Sequence, residues 1–300
     1  MSCPICGYYC ENYEPAKHLP RFFRCSRCSG YYHQMENKPL YSKTYFAESD
    51  KPSFIKSLAG GFLGIFLFLR EKKIKFFLSS NKAKILDYGC GNGKFVAYLK
   101  KRGFNVDGYD PSLSAVKMAR ENNLPVYKAI PENKYDLIMF WHSLEHSDTP
   151  LNDLKKCKQY FLPGAKLLIA APNGESLEAK ICGQKWFCYD WPFHRVHFTP
   201  KSVQTLLEKA SFKVISIDYF NPEYTASSLA QTFLNIFLPH NALYNVMANR
   251  RFSQNKIKII AVSLISVCLL ILFSPFLAAF FLIEMLTKKT AAMIIIAENE

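Results

Sequence analysis

Lys84-Ile85-Leu86-Asp87-Tyr88-Gly89-Cys90-Gly91-Asn92-Gly93-Lys94-Phe95 decides the fold. A short apolar stretch ends in an acid, glycines alternate at 89, 91 and 93, and Phe95, Val96, Tyr98 and Leu99 follow at helical spacing. Alternating glycines let backbone amides approach a ligand closely where a helix begins, at the positive end of its dipole. The stretch therefore predicts strand, ligand loop, helix. A dinucleotide site would want G-x-G-x-x-G, but the third glycine comes one residue early and Lys94 stands where the last glycine belongs. Asp87 argues the same way. A carboxylate just ahead of the loop would repel a pyrophosphate, whereas it suits a ligand bearing an ammonium and a sulfonium.

The loop resembles the first motif of class I S-adenosylmethionine-dependent methyltransferases, the family with the I-L-D-x-G-C-G-x-G signature, and the resemblance covers most of residues 82–219. It implies a Rossmann-like, doubly wound α/β fold with a seven-stranded sheet. It also implies S-adenosylmethionine as cofactor, bound by Asp87, Gly89, Gly91 and Gly93. Phe104–Pro111 reads as a second strand ending in an acid, so Asp110 is the expected ribose ligand; capping the segment Ser112–Glu121 is its compatible plain role. A third strand, Val126–Ile130, leads into a segment too compressed to carry over an adenine ligand.

Tyr135–Phe140 reads as a buried fourth strand. The segment Trp141-His142-Ser143-Leu144-Glu145-His146 after it resembles the family's post-strand motif ending in L-E-H. Trp141 and His142 are thereby expected against the cofactor, while His146 more often packs or caps locally. Leu162–Lys166 reads as a tight turn before a fifth strand, Leu167–Ala171.

Gly183 to Thr199 gathers Trp186, Trp191, His194 and His197 into one loop. Its W…P-x-H…H-F-T pattern resembles that of bacterial methyltransferases of this kind, ahead of a helix over 200–210. The loop follows strand five at the carboxyl edge, where ligands enter an open α/β sheet. Oxygen methylation needs a base near the acceptor hydroxyl, and an imidazole titrates near neutral pH. His194 or His197 is the candidate general base, with Asp190 a possible orienter; a structural histidine bonded to backbone is the plain alternative for each.

At the front, Cys3-Pro4-Ile5-Cys6-Gly7 and Cys25-Ser26-Arg27-Cys28-Ser29-Gly30 are two C-x-x-C turns. Together Cys3, Cys6, Cys25 and Cys28 supply the four sulfurs of a structural zinc site, which leaves no open position for chemistry. Structural disulfides are the alternative, but without a secretory signal the chain is expected in a reducing compartment. Cys10 is off-pattern. Tyr8, Tyr9, Phe22, Phe23, Tyr31 and Tyr32 are the expected small core of this ribbon. A folding staple is its plain role and substrate or RNA recognition the sharper one.

The expected divisions are a zinc ribbon over 1–36, connector and lid helices over 37–81, the methyltransferase domain over 82–255, an apolar insert over 256–287 and a terminal strand over 288–300. In the connector, Tyr41, Tyr45 and Phe46 could begin a lid. The uncharged run Ser57–Leu69 is shorter than the roughly 20 helical residues a bilayer takes, so it reads as a core or interfacial helix. Ile259–Ile283 carries no charge, but Ser274-Pro275 splits it, and Ala291–Ala297 reads as a strand that must rejoin the sheet. A monotopic helical hairpin with Lys256, Lys258, Lys288 and Lys289 at the headgroups meets both demands. A single transmembrane helix with a free tail and a soluble dimer interface are the other options.

The net charge of +14 calls for an acidic partner. Its thickening beside apolar runs favours an anionic membrane surface at the cytoplasmic face. The expected function is methylation of a small or lipid-linked amphiphilic acceptor, saccharide-like or quinone-like. Ribosomal RNA methylation is the rival, since some RNA methyltransferases pair a zinc ribbon with this fold; the uncharged insert and the missing N-P-P-Y motif count against nucleic acid. A non-catalytic membrane scaffold retaining the fold is the third reading.

Overall fold

The structure, a computed structural model, describes residues 2–9, 14–33, 53–78, 82–248 and 255–299. Cys10 and the lid aromatics Tyr41, Tyr45 and Phe46 lie outside the described residues. Three two-residue strands come first in chain order: β1 (Glu14–Pro15), β2 (Phe23–Arg24) and β3 (Tyr31–Tyr32). They form an antiparallel ribbon whose fourth strand, β9 (Val196–His197), comes from the histidine-rich loop far along the chain. The ribbon's core therefore differs from the expected self-contained one. Phe22, Tyr31 and Tyr32 are buried, but Tyr8 and Tyr9 are 39% and 63% exposed. The cysteines and Ile5 share one apolar cluster with sheet residues such as Ile169 and Met293, so the larger domain supplies most of the cover.

Helix α1 (Ser53–Phe77) is one 25-residue helix that continues well past the apolar run read from the sequence. Its buried Glu71 accepts hydrogen bonds from Tyr98 (2.7 Å) and Arg102 (3.2 Å) and so docks α1 onto α2 (Lys94–Lys101). The connector helix thereby packs against the body of the α/β domain.

The main sheet is built on strands buried on both faces, β4 (Lys84–Tyr88), β7 (Tyr135–Trp141) and β8 (Phe161–Pro172), whose near-continuous apolar runs are the pattern of parallel strands covered by helices. β5 (Asn105–Tyr109) and β6 (Val126–Tyr127) extend it in parallel beyond β4. β11 (Ala292–Asn299) slots between β8 and β10 (Phe212–Asp218), antiparallel to both. The order is β10-β11-β8-β7-β4-β5-β6, a seven-stranded mixed sheet with the expected Rossmann-like winding. The reading of 291–297 as a strand that rejoins the sheet holds. Two boundaries move. The third strand is only two residues long, and Leu162–Lys166 is a bulge inside β8: the register against β7 jumps between Tyr135↔Phe161 and Leu137↔Lys166, with Gly164 at φ 72°.

On one side of the site, α7 (Pro222–Phe237) follows β10. The apolar insert is a bent pair, α9 (Lys256–Leu272) and α10 (Ser274–Thr287), turning by 70° at the Ser274-Pro275 break. No single helix among the described residues is long and apolar enough to cross a membrane. Phe273 at the bend packs on Phe233 of α7 (5.1 Å between rings), and Glu284 of α10 is buried beside Glu178. Much of the pair stays uncovered: Ile257, Leu264, Ile271, Leu272, Phe276 and Leu286 are 61–83% exposed.

Candidate active site

The cofactor loop leaves β4 at Asp87 and turns back onto its neighbours. Gly89 sits at φ 79°, where a Cβ would stand 2.4 Å from the Cβ of Ser143, so only glycine fits. Ser143 in turn donates to the Tyr88 carbonyl (2.7 Å), locking the loop to the segment after β7. Gly91 N donates to Asp110 Oδ2 (2.8 Å), and Ser112 N donates to Asp110 Oδ1 (2.8 Å). Asp110 is thus held at the end of β5 beside the glycine loop, while Ser112 caps α3 (Leu113–Glu121) by accepting from Ala115 N. Burial raises the Asp110 carboxyl, and those two amide bonds work against the rise. Gly93, at φ 77°, opens α2.

Asp87 is 3% exposed, and burial pushes its carboxyl up to about 7, with Arg70 pulling it down and Asp110 adding to the rise. Arg70 is the residue that sequence reasoning missed. In the structure its guanidinium lies 5.0 Å over the Trp141 ring and 5.7 Å over Phe95. No motif marks it; the one hint was its place on a helix ahead of the first parallel strand. Around the glycine loop there are thus two carboxylates and one guanidinium, a set complementary to an amino acid ammonium, ribose hydroxyls and an α-carboxylate.

Trp141 and His142 stand where β7 ends. His142 adopts a left-handed conformation (φ 51°), its N–H bonded to Ala170 O (2.9 Å) and its ring stacked 4.1 Å from Tyr224 of α7. Burial, and after it Arg70, pulls His142 down to about 3, so the ring is neutral. Tyr224 roofs this edge, another contact without a sequence signal.

The two histidines expected as bases meet edge to face, 5.4 Å between ring centroids, but differ in their other surroundings. His197 belongs to β9, is fully buried, and packs between Phe22 (4.6 Å) and Trp186 (5.2 Å). Its ring is thus built into the aromatic seam between the ribbon and the larger domain. His194 lies with Glu145 and His146, whose ligand atoms and its own all stand within 4.8 Å of one another. His194 Nδ1 donates to Cys188 O (2.8 Å), which leaves Nε2 as the lone-pair nitrogen of the neutral ring, 4.0 Å from Asp190 Oδ2. His146 Nδ1 donates to Phe193 O (3.1 Å), and burial lowers its pKa. Glu145 is buried and raised by that burial. These three residues could accept a proton or hold a cation, a grouping that the sequence, which marks His146 only for local packing or capping, does not signal.

The four ribbon cysteines converge. Cys3 Sγ is 3.8 Å from Cys28 Sγ, and Cys6 Sγ is 3.7 Å from Cys25 Sγ. Sulfurs about 2.3 Å from a shared tetrahedral zinc stand about 3.8 Å apart, so the residues fit that metal, and the spacing is far from the roughly 2.05 Å of a disulfide.

Comparison with known proteins meets this geometry. The sequence model of the family described as "Methyltransferase domain" matches residues 65–217, just over half of the chain. The ubiquinone biosynthesis O-methyltransferase of Dinoroseobacter shibae is 27% identical over 184 residues, covering 51% of this chain and 70% of that one. Its namesake from Cereibacter sphaeroides is 23% identical over 176 residues, with the same coverage of 51% and 70%. In structure, a SAM-dependent methyltransferase from Archaeoglobus fulgidus superposes with a TM-score of 0.50 at 20% identity, over 82% of this chain and 98% of that one, a likeness of fold. The family match begins inside α1. The glycine loop, the acids that close it and the matched family make this chain a class I S-adenosylmethionine-dependent methyltransferase.

Proposed function

We propose that the chain methylates a hydroxyl of an amphiphilic acceptor, quinone-like in its head group, at an anionic membrane surface. The carrying observation is one continuous path of contacts. The exposed apolar pair α9–α10 packs through Phe273 on α7, and α7 lays Tyr224 on His142 at the cofactor edge. An acceptor with an apolar tail held in lipid would have its head group brought to that edge. Exposed Lys258, Lys288 and Lys289 flank the pair, and each basic residue near an anionic surface contributes about 1 kcal/mol. The names of the curated relatives favour the same acceptor class.

In this reading Asp110 holds the ribose hydroxyls, Asp87 neutralises the cationic end of the cofactor, and Arg70 pairs with its carboxylate. Gly89, Gly91 and Gly93 allow close backbone approach, with Trp141 and His142 forming the wall. When bound, S-adenosylmethionine supplies a methyl group on a sulfonium. His194 takes the acceptor's hydroxyl proton on Nε2, and Asp190 steadies the imidazolium that results. Neutral His142 and the Tyr224 roof keep water from the reacting line. Zinc on Cys3, Cys6, Cys25 and Cys28 is structural.

The test is methyl transfer from radiolabelled cofactor to a short-chain prenylated catechol in vesicles, with flotation of the protein on the same vesicles. Label in the catechol oxygen and flotation that requires anionic lipid and residues 256–287 are expected. Label appearing only in RNA, or a protein that never floats, would overturn the acceptor or the membrane assignment respectively.

A further inference from the structure

The ribbon and the acceptor side are joined by more than one contact. β3 pairs with β9 through Tyr31↔His197 and Tyr32↔Val196. His33, buried just after β3, donates from Nε2 to the carbonyl of His194 (2.9 Å), and its own N–H reaches Arg195 O (3.2 Å). Tyr189 OH donates to Pro20 O (2.6 Å), and the Arg21 guanidinium lies 4.0 Å over Trp191. Gly30, two residues past the last cysteine, lies so close to α6 (Pro200–Lys209) that a Cβ there would stand 2.9 Å from Ser202 Cβ. The segment 189–202 is thus fixed on one side by the ribbon. On its other side Arg195 N donates to Glu145 O (2.7 Å) and Arg195 pairs with Asp148.

We propose that the four-cysteine ribbon is a metal-dependent positioning element for the acceptor side, and that His33 is its positioning residue. A ribbon of this size lacks an apolar core of its own, so metal at the cysteines sets where β3 ends and therefore where His33 stands. His33 pins the His194 carbonyl, and with it the direction of the His194 ring toward Glu145 and His146. Among the described residues the cofactor loop is held instead by β5, α3 and Ser143. Metal loss should therefore slacken the acceptor side and spare cofactor binding. The inference rests on His194 being the acceptor-side base.

The experiment compares His33→Ala, His33→Gln and zinc-stripped wild type in the full chain. Hydrogen exchange over 190–199, the His194 ring resonance, metal content and cofactor affinity are followed together. His33→Ala is expected to keep its zinc and its cofactor affinity within about twofold, while exchange over 190–199 rises about tenfold or more and the His194 resonance moves. His33→Gln, whose amide can reach the same carbonyl, should restore both. Zinc-stripped wild type should show the same loosening, reversed by added zinc. Unchanged exchange and resonance in His33→Ala would overturn the proposal, as would a cofactor affinity that falls in step with them. If His33→Ala does not fold, the stripped and reloaded wild type with His33→Gln decides on the same readouts. Failure of the His194 reading is seen separately, as full turnover in His194→Ala.

Discussion

The glycine loop over 84–95 and the histidine loop over 183–199 are built on different principles. In the first, each functional residue is set by its immediate surroundings: an acid at a strand end, glycines at positive φ, a helix start. In the second, position comes from far away. His194 is held by Cys188 within the loop but also by His33 from the ribbon, and His197 is built into the ribbon by pairing with Tyr31. Local geometry gives a motif that any reader of the chain can recognise. Long-range pairing leaves none, so the two histidines look equivalent in sequence and are not equivalent in space.

The sharpest way to break this contrast is to substitute the histidines one at a time. Loss of a general base costs about 10²–10⁴-fold in turnover, and His194→Ala is expected to fall in that range with cofactor affinity unchanged. His197→Asn should keep turnover within about threefold, losing instead about 1–3 kcal/mol of stability from the ribbon interface. Equal losses of turnover in both variants would return His197 to the site.

The next largest effect belongs to the cofactor loop. Removing the Asp87 charge in Asp87→Asn should weaken cofactor binding about 30- to 100-fold, the worth of a buried charged hydrogen bond. Gly89→Ala should match or exceed it because of the approach to Ser143, and titration calorimetry reads both. Normal binding in Gly89→Ala would show that the loop is not as tightly held as its contact with Ser143 requires.

A smaller effect concerns pH. The Asp87 carboxyl is raised to about 7, and its ionised form is the one that suits a cationic ligand. As pH falls below 7 the proton must be displaced before binding, so affinity should drop by up to about tenfold per pH unit, and level off above 7. A flat profile between pH 6 and 8 would mean that Asp87 does not face the cofactor's charge.

Much of the fold was legible. The buried parallel strands announce themselves by apolar runs at 137–141 and 167–171, and the terminal strand by the last apolar run, 291–297. The bulge at 162–165 was not legible, since a glycine at a strand bulge and one at a turn look alike in sequence. Arg70 and Tyr224 escaped for another reason. Each lies on a helix whose register against the sheet depends on packing with other elements, Glu71 against Tyr98 in one case and Phe233 against Phe273 in the other. The ribbon was read correctly as a four-cysteine cluster but not as part of the larger domain, because two-residue strands carry no periodicity that could name their partner.

The central claim is the identity and place of the cofactor. Calorimetric titration of the wild-type chain and of Asp110→Ala with S-adenosylmethionine tests it most directly. One molecule should bind per wild-type chain, and binding should be lost or weakened by at least about 30-fold when the Asp110 carboxylate is removed. No binding to a folded wild-type chain, or equal binding to both, would contradict it.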